Sequence, residues 1–348
     1  MNEFTRLRDN PIFICGHPKS GTTLLVSLLD SHPELVVYPA ETVFFRGLLP
    51  RLRNLGFDEK LSLAKRYLLQ YFEPPSSMNH TERAVNPTAS EEERRLAVYI
   101  QYGKTCEQMD SLLTPDLYRH EGDFLSAAVL AFGLTHQKIS PRSKYWVEKT
   151  PYNEYFAEQI FSWWPQARCI HVVRDPRDNY ATYRRKHPNL SPERFSRGWN
   201  TSLGAALQNR SRYGAERYLV LRYEDLTSQP EEMVPQLVSF LGIQDDEILR
   251  MPTKNGLPWQ GNSMFNERFS GISARPLGRW KNELSAADVS LIETACRSGM
   301  KRMDYPLQGR PSISAVWRLV KFYGLLTLRL PADLAQTVRR HYGVMPLS

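Results

Sequence analysis

The stretch PIFICGHPKSGTTLLVSLLDSHPEL, residues 11–35, constrains the fold more than any other part of the chain. The apolar run IFICG (12–16) reads as a buried strand ended by glycine, and TTLLVSLLDSH (22–32) reads as the helix leaving it. Between them, Gly16 and Gly21 keep the spacing of a phosphate-cradling GxxxxGK[ST] loop. Thr22 stands where that motif keeps its lysine, and the loop's only lysine, Lys19, lies inside the turn. A strand, tight turn and helix N-terminus still offer the amides of Ser20, Gly21, Thr22 and Thr23 to an anion, helped by the helix dipole. Lys19 then reaches over the bound group from the loop side, where it meets charge developing on a bridging oxygen. That arrangement suits transfer of a group less negative than a γ-phosphate, with no metal needed to neutralise it.

The rest of the chain alternates short β-rich runs with longer amphipathic segments, the pattern of βαβ units and a parallel sheet. KYWVEK (144–149), RCIHVVR (168–174) and RYLVLRY (217–223) read as further strands, with helices at NEYFAEQIFSWW (153–164), EEMVPQLVSFLG (231–242) and 285–299. A mostly helical stretch runs to about Phe132, broken by a loop at 73–90, and 251–284 reads as a long irregular loop. A length of 348 residues suits one large α/β domain, expected over 1–310 with a helical insert at about 45–140. The extension 311–348 is basic and amphipathic. It reads more readily as packing on its own domain or on a second copy of the chain than as lying on a membrane surface.

A net charge of +8 makes an anionic ligand, polymer or surface a natural partner, although a solubilising surface accounts for the charge as well. The 4 cysteines are far apart, with no CxxC pair and no metal-ligand spacing, so neither a zinc site nor a disulfide framework is expected. With no apolar signal core in MNEFTRLRDNPIF and no membrane-spanning run, the expected location is cytoplasmic.

A second anion site is written in HVVRDPRDNYATYRRKH (171–187). An apolar strand ends at Arg174, Asp175 suits an N-cap and Pro176 the first helical turn. The helix puts Thr182 and Lys186 on one face, and Arg174 and Thr182 within reach of one phosphate near the helix start. A solvated basic helix face, with Arg177, Arg184 and Arg185, is the alternative reading.

With KSGTT (19–23) after a strand and an arginine followed eight residues later by a hydroxyl, the chain resembles the sulfotransferases that use 3′-phosphoadenosine 5′-phosphosulfate (PAPS). The resemblance spans roughly residues 11 to 305. It implies a three-layer, P-loop-like α/β fold with a central parallel sheet flanked by helices. It also implies a metal-free site in which Lys19, Ser20, Gly21, Thr22 and Thr23 hold the 5′-phosphosulfate, and Arg174 and Thr182 hold the 3′-phosphate. Thr182 replaces the family's serine. Lys186 matches a basic position of the tyrosylprotein branch. Tyr223, in LRYEDL (221–226), matches a tyrosine near the nucleotide, with core packing as its alternative role. FSGISARPLGRWKNEL (269–284) corresponds to the loop that closes over the cofactor. Ser273, Arg275 and Arg279 are carried over from it, with Arg279, beside Trp280, the best placed.

Sulfuryl transfer needs cations near the bridging oxygen and a base for the acceptor's proton. Lys19 is the first cation. Lys149, in WVEKTPYN, matches a family lysine thought to stabilise the transferring group; as an ordinary strand-end charge it would pair with Glu148 instead. The cytosolic branch keeps a histidine base two residues beyond, and here that residue is Pro151. The tyrosylprotein branch uses a glutamate in an E-T pair, and YPAETVFF (38–45) offers Glu41-Thr42 one residue further along. Glu41 is the expected base, buried by Val43, Phe44 and Phe45 so that its pKa rises; a helix-cap acid is its alternative role, and His136 is the alternative base. His17 reads as structural. Phe44, Phe45, Tyr67, Tyr71, Phe72 and Tyr99 would line an acceptor pocket for a phenol, lipid, glycan or peptide hydroxyl. Nucleic acid is not an expected partner. The other function classes are a P-loop kinase, which needs the Walker lysine, and a non-catalytic binder of anionic polymers.

Overall fold

In the computed structural model the backbone is described for residues 3–69 and 91–328, and side chains for 4–69 and 101–324. After α1 (Glu3–Leu7), the run Pro11–Cys15 forms β1 with every residue buried. A strand covered on both faces carries no polar alternation, which is why this one reads as continuously apolar. The chain continues through α2 (Thr22–Leu29), β2 (Leu35–Val37), a π-helical turn (Phe44–Leu48), α3 (Phe57–Leu68), α4 (Glu91–Leu112) and α5 (Gly122–Thr135). Then come β3 (Tyr145–Lys149), α6 (Ala157–Trp163), β4 (Arg168–Val173), α7 (Pro176–Lys186), α8 (Pro192–Tyr213), β5 (Tyr218–Arg222), α9 (Tyr223–Ser228) and α10 (Pro230–Leu241). The two-residue strands β6 (Thr253–Lys254) and β7 (Leu257–Pro258) precede α11 (Trp280–Glu283), α12 (Ala286–Arg302) and α13 (Ile313–Leu328).

β1 to β5 make one 5-stranded sheet in the order β2-β3-β1-β4-β5. β2 and β3 pair in parallel with Leu35 opposite Tyr145, and β4 and β5 in parallel with Cys169 opposite Tyr218. This is the expected α/β fold, a mostly parallel central sheet flanked by helices. The expected strands lie within a residue or so of those observed. β2, only 3 residues of LVV, and the 22-residue α8 had no separate expectation. Between 251 and 284, β6, β7 and α11 interrupt an otherwise irregular path. The expected loop at 73–90 lies outside the described residues.

Packing divides the chain into two units. The first comprises residues 1–13, 29–149 and 158–167. Its centre is α5, GDFLSAAVLAFGLT, which is apolar all round and buried from Gly122 to Gly133. An aromatic cluster surrounds Phe13, whose ring lies 5.8 Å from Phe45, 5.6 Å from Trp146 and 5.4 Å from Trp164. The indoles keep their donors satisfied: Trp146 Nε1 donates to the Arg8 carbonyl and Trp164 Nε1 to Ser126 Oγ.

The second unit comprises residues 14–28, 150–157 and 168–348. Here α8 packs on α12 through Phe195, Trp199, Leu203, Ile292, Cys296 and Met300. Ala315 buries one face of α13, and Arg318 bonds Glu193 at 2.7 Å, while Ile313 and Trp317 stay 79% and 69% exposed. Among the described residues no helix is long and apolar enough to cross a membrane.

Candidate functional site

In the second unit, β1 ends at Cys15 and the loop Gly16–Gly21 turns the chain into α2. Three residues of that loop take positive φ: Gly16 at 143°, Lys19 at 65° and Gly21 at 103°. The glycines are required sterically as well. A Cβ on Gly16 would sit 2.4 Å from the Val172 carbonyl oxygen, and one on Gly21 would sit 2.2 Å from Cδ2 of Tyr223. The first-turn amides of α2 have no partners inside the helix, so the loop and helix start form a cradle of N–H donors. Ser20 Oγ is buried there without a hydrogen-bond partner among the described residues.

The cradle is braced from beneath. Glu154 is fully buried, and its carboxylate accepts the Gly16 amide at 3.2 Å and the Ser202 hydroxyl. Burial pushes its pKa up to about 7 against the opposing pull of those hydrogen bonds. His17 Nδ1 lies 3.1 Å from Asn179 Oδ1, and Asn179 Nδ2 donates to the Pro18 carbonyl, tying the loop to α7. Burial lowers the His17 pKa to about 4, so the ring is neutral at physiological pH. Cys15, Glu154 and His171 bring metal-capable atoms within 4.8 Å of one another. Both Glu154 oxygens already accept hydrogen bonds, and Cys15 Sγ lies 3.7 Å from the Ile170 carbonyl, so bracing accounts for two members of the trio. No sequence spacing marks these residues.

Beside the cradle stands Arg174, at the end of β4. Its Nη1 donates to the Lys19 carbonyl at 3.3 Å and to Thr182 Oγ1 at 3.4 Å, and its Nη2 donates to the Pro276 carbonyl at 3.2 Å. The guanidinium lies 4.6 Å from the centroid of the Tyr223 ring, and Nε is buried without a partner among the described residues. Thus Lys19, Gly21, Arg174, Thr182 and Tyr223 come together. Tyr223 is both packed and at the site: its ring seats Gly21 on one side and the guanidinium on another. Asp175 caps α7 by accepting the Arg177 amide, and its carboxylate is also held by the Arg177 guanidinium, which in turn bonds Glu293. Arg177 is therefore a buried strut and no part of a solvated face.

The later loop is pinned to the same place. Asp178, on α7, accepts the Gly278 amide at 2.7 Å and the Trp280 amide at 2.9 Å. Arg279 bonds Glu267 at 2.5 Å, and Lys19 Nζ lies 3.4 Å from Met264 Sδ. Ser273 Oγ accepts the Arg275 amide, and Arg275 and Lys186 are exposed.

In the first unit, Lys149 and Glu41 are bonded to each other at 2.5 Å, and the Lys149 side chain is 9% exposed. The buried Glu148 carboxylate instead accepts the Thr42 amide and hydroxyl. The expected apolar burial of Glu41 does not occur. Its side chain is 44% exposed, because Phe44 and Phe45 turn into the core and Glu41 precedes the π-helical turn in open chain. His136 ends α5 against Phe132, with ring centroids 4.5 Å apart, and burial lowers its pKa. Of the aromatic residues expected to line a pocket, Phe44 and Phe45 are core and Tyr67 packs by Arg51. Tyr71 and Phe72 lie outside the described residues, and only the backbone of Tyr99 is described.

Comparison with known proteins follows the same lines. Mouse (Mus musculus) carbohydrate sulfotransferase 7 is 34% identical over 97 residues, a match covering 27% of this chain and 20% of that protein. Mouse carbohydrate sulfotransferase 1 is 23% identical, with 89% of this chain and 84% of that protein covered. Protein-tyrosine sulfotransferase A of Caenorhabditis elegans is 24% identical, covering 70% of this chain and 53% of that protein. Among solved structures, the sulfotransferase domain from the curacin biosynthetic pathway superposes with a TM-score of 0.51 at 18% identity, covering 85% of this chain and 98% of that one. The family model described as "Sulfotransferase family" matches residues 11–247. That match takes in the cradle, Arg174, Thr182 and Tyr223 over more than half of the chain, which therefore belongs to the sulfotransferase family.

Proposed function

We propose that this protein transfers a sulfuryl group from PAPS to an acceptor hydroxyl. The observation that carries the reading is the bond from Arg174 to the Lys19 carbonyl, which joins an amide cradle and a guanidinium–hydroxyl pair into one doubly cationic site. A nucleotide with acidic groups at both ends of its ribose uses both halves, whereas ATP has no group for the second. The residues fit such a donor: Ser20 Oγ and Arg174 Nε are buried without partners among the described residues. When bound, the donor supplies an activated sulfuryl group on a phosphate leaving group.

The chain's own residues have the following proposed roles. The Ser20 hydroxyl, the amides of Gly21 to Thr23 and the Lys19 ammonium hold and neutralise the 5′ end, with charge stabilised at the bridging oxygen. The Ser20 amide donates instead to the His17 carbonyl at 3.2 Å. Arg174, Thr182, Ser273, Arg279 and Lys186 serve the 3′ end. Lys149 stabilises charge on the transferring group, and Glu41 takes the acceptor's proton. Donor binding without a divalent ion belongs to the same proposal. Relatives named for carbohydrate and protein-tyrosine acceptors make glycan and peptide hydroxyls the first acceptors to screen.

A kinase reading has less support. Thr22 occupies the Walker lysine position, and Asp175, the acid a kinase would turn to magnesium, is engaged as a helix cap and by Arg177. Calorimetry with 3′-phosphoadenosine 5′-phosphate (PAP), ATP and ATP-magnesium tests the choice. Metal-free PAP binding that disappears in Arg174→Ala is the expected result. ATP-magnesium binding with indifference to PAP would replace the proposal with the kinase reading.

A further inference from the structure

We propose that Glu267 is a built-in counter-anion that occupies Arg279 and thereby sets the affinity for the donor nucleotide. The inference rests on the donor reading above. Its basis is how residues 260–279 treat three cations assigned to that site, Lys19, Arg174 and Arg279, and the neighbouring Arg185. The segment closes on itself through the Phe269 amide, which donates to the Gln260 carbonyl at 2.9 Å. Gly261, with φ of 90°, lets Phe269 approach so closely that a Cβ there would lie 2.7 Å from its ring.

From this closed segment, groups reach four cations. Met264 Sδ meets Lys19 Nζ at 3.4 Å, and the Pro276 carbonyl accepts from Arg174 at 3.2 Å. The Phe265 ring meets both the Arg185 guanidinium, at 4.1 Å, and that of Arg279, at 4.0 Å. Glu267 Oε2 bonds Arg279 Nη2 at 2.5 Å and also accepts the Ser263 hydroxyl at 3.4 Å.

These contacts are not equal in strength. A thioether, a ring face and a carbonyl are neutral partners, and a phosphate displaces them readily because ionised acceptors make bonds about twice as strong. Glu267 alone among these groups is an anion. With the Arg279 side chain 14% exposed and that of Glu267 34% exposed, the pair is screened less than an open surface bridge. An incoming phosphate must therefore compete with it charge for charge. The apparent affinity falls by the fraction of molecules in which Arg279 is released, as for any ligand whose competent state is partly populated.

Titration calorimetry with PAP on the full chain tests this, using wild type, Glu267→Gln, Glu267→Ala, Arg279→Ala and the Glu267→Gln/Arg279→Ala double variant. Both Glu267 variants are expected to bind PAP about 3- to 10-fold more tightly, a tenfold gain being about 1.4 kcal/mol. The gain should vanish in the Arg279→Ala background, which a merely structural role for Glu267 would not produce. Unchanged or weaker PAP affinity in both Glu267 variants overturns the proposal, with circular dichroism and the urea midpoint confirming that they fold. A gain that survives without Arg279 does so too. If PAP binds wild type, is lost in Arg174→Ala and is indifferent to Glu267, the counter-anion idea alone falls. If PAP binds none of the proteins, the donor reading falls and takes this one with it.

Discussion

Gly21 shows how one residue can be required for two reasons at once. Its φ of 103° excludes ordinary side chains, and the Tyr223 ring occupies the volume a Cβ would need. Gly21→Ala should therefore cost about 2 kcal/mol or more of stability, from backbone strain together with overpacking. Urea denaturation measures it, and in a Tyr223→Ala background the same Gly21→Ala change should cost less, by the overpacking share. Lys149 and Glu41, proposed above as cation and proton acceptor, bond each other. Glu41→Gln is expected to lower turnover by about 10²- to 10⁴-fold, the usual contribution of a general base, while PAP affinity holds. Near-normal turnover, or a drop with an unchanged pH–rate profile, would mean that Glu41 only positions Lys149.

At the scale of elements, two braces decide where the cradle and the late loop sit. Glu154, on the 3₁₀ turn after β3, receives the first amide of the loop. Its carboxyl is raised from 4.5 to about 7 by burial, so across that interval the folded chain binds more protons at this site than the unfolded chain. Stability from this group is therefore highest below pH 4.5, declines as pH rises, and is lowest above pH 7, a span on the order of 3 kcal/mol. Glu154→Gln carries no charge to desolvate. Its stability relative to wild type should rise between pH 5 and pH 8, as read by urea melts at both; a constant difference would mean that Glu154 does not titrate there. Asp178 does for the late loop what Glu154 does for the cradle, accepting the Gly278 and Trp280 amides from α7. Asp178→Ala strands two amides at about 1–3 kcal/mol each where they stay buried, and hydrogen exchange at those two positions should accelerate.

For the whole molecule, donor binding and stability are one measurement. A ligand that binds only the folded chain stabilises it by about 2.7 kcal/mol at 100 times its dissociation constant. PAP with chelator present should therefore raise the melting temperature of wild type and leave that of Arg174→Ala unmoved. The net charge of +8 makes a separate forecast for the polymer-binding reading: heparin affinity that falls steeply with salt and is indifferent to PAP. Saturation by PAP with shallow salt dependence argues for a site in preference to a charged surface.

Legibility followed range along the chain. The cradle could be read because its demands are local: glycines where φ is positive, a strand before and a helix after, all within residues 11–35. Arg174 and Thr182 could be read for the same reason, since a helix sets their spacing. Even there Glu41 misled, because apolar neighbours in sequence do not bury a residue when their side chains turn the other way. By itself, then, the sequence determined four of the five strands of the sheet, the glycine-bearing turn between β1 and α2, and the charges around it. Tertiary structure alone decided which distant groups meet them: Glu154 under Gly16, Tyr223 against Gly21, Met264 at Lys19 and Glu267 on Arg279. Hydrogen bonds and ion pairs act over a few ångströms and carry no periodic trace, so contacts between residues far apart in the chain are settled only when the whole chain packs.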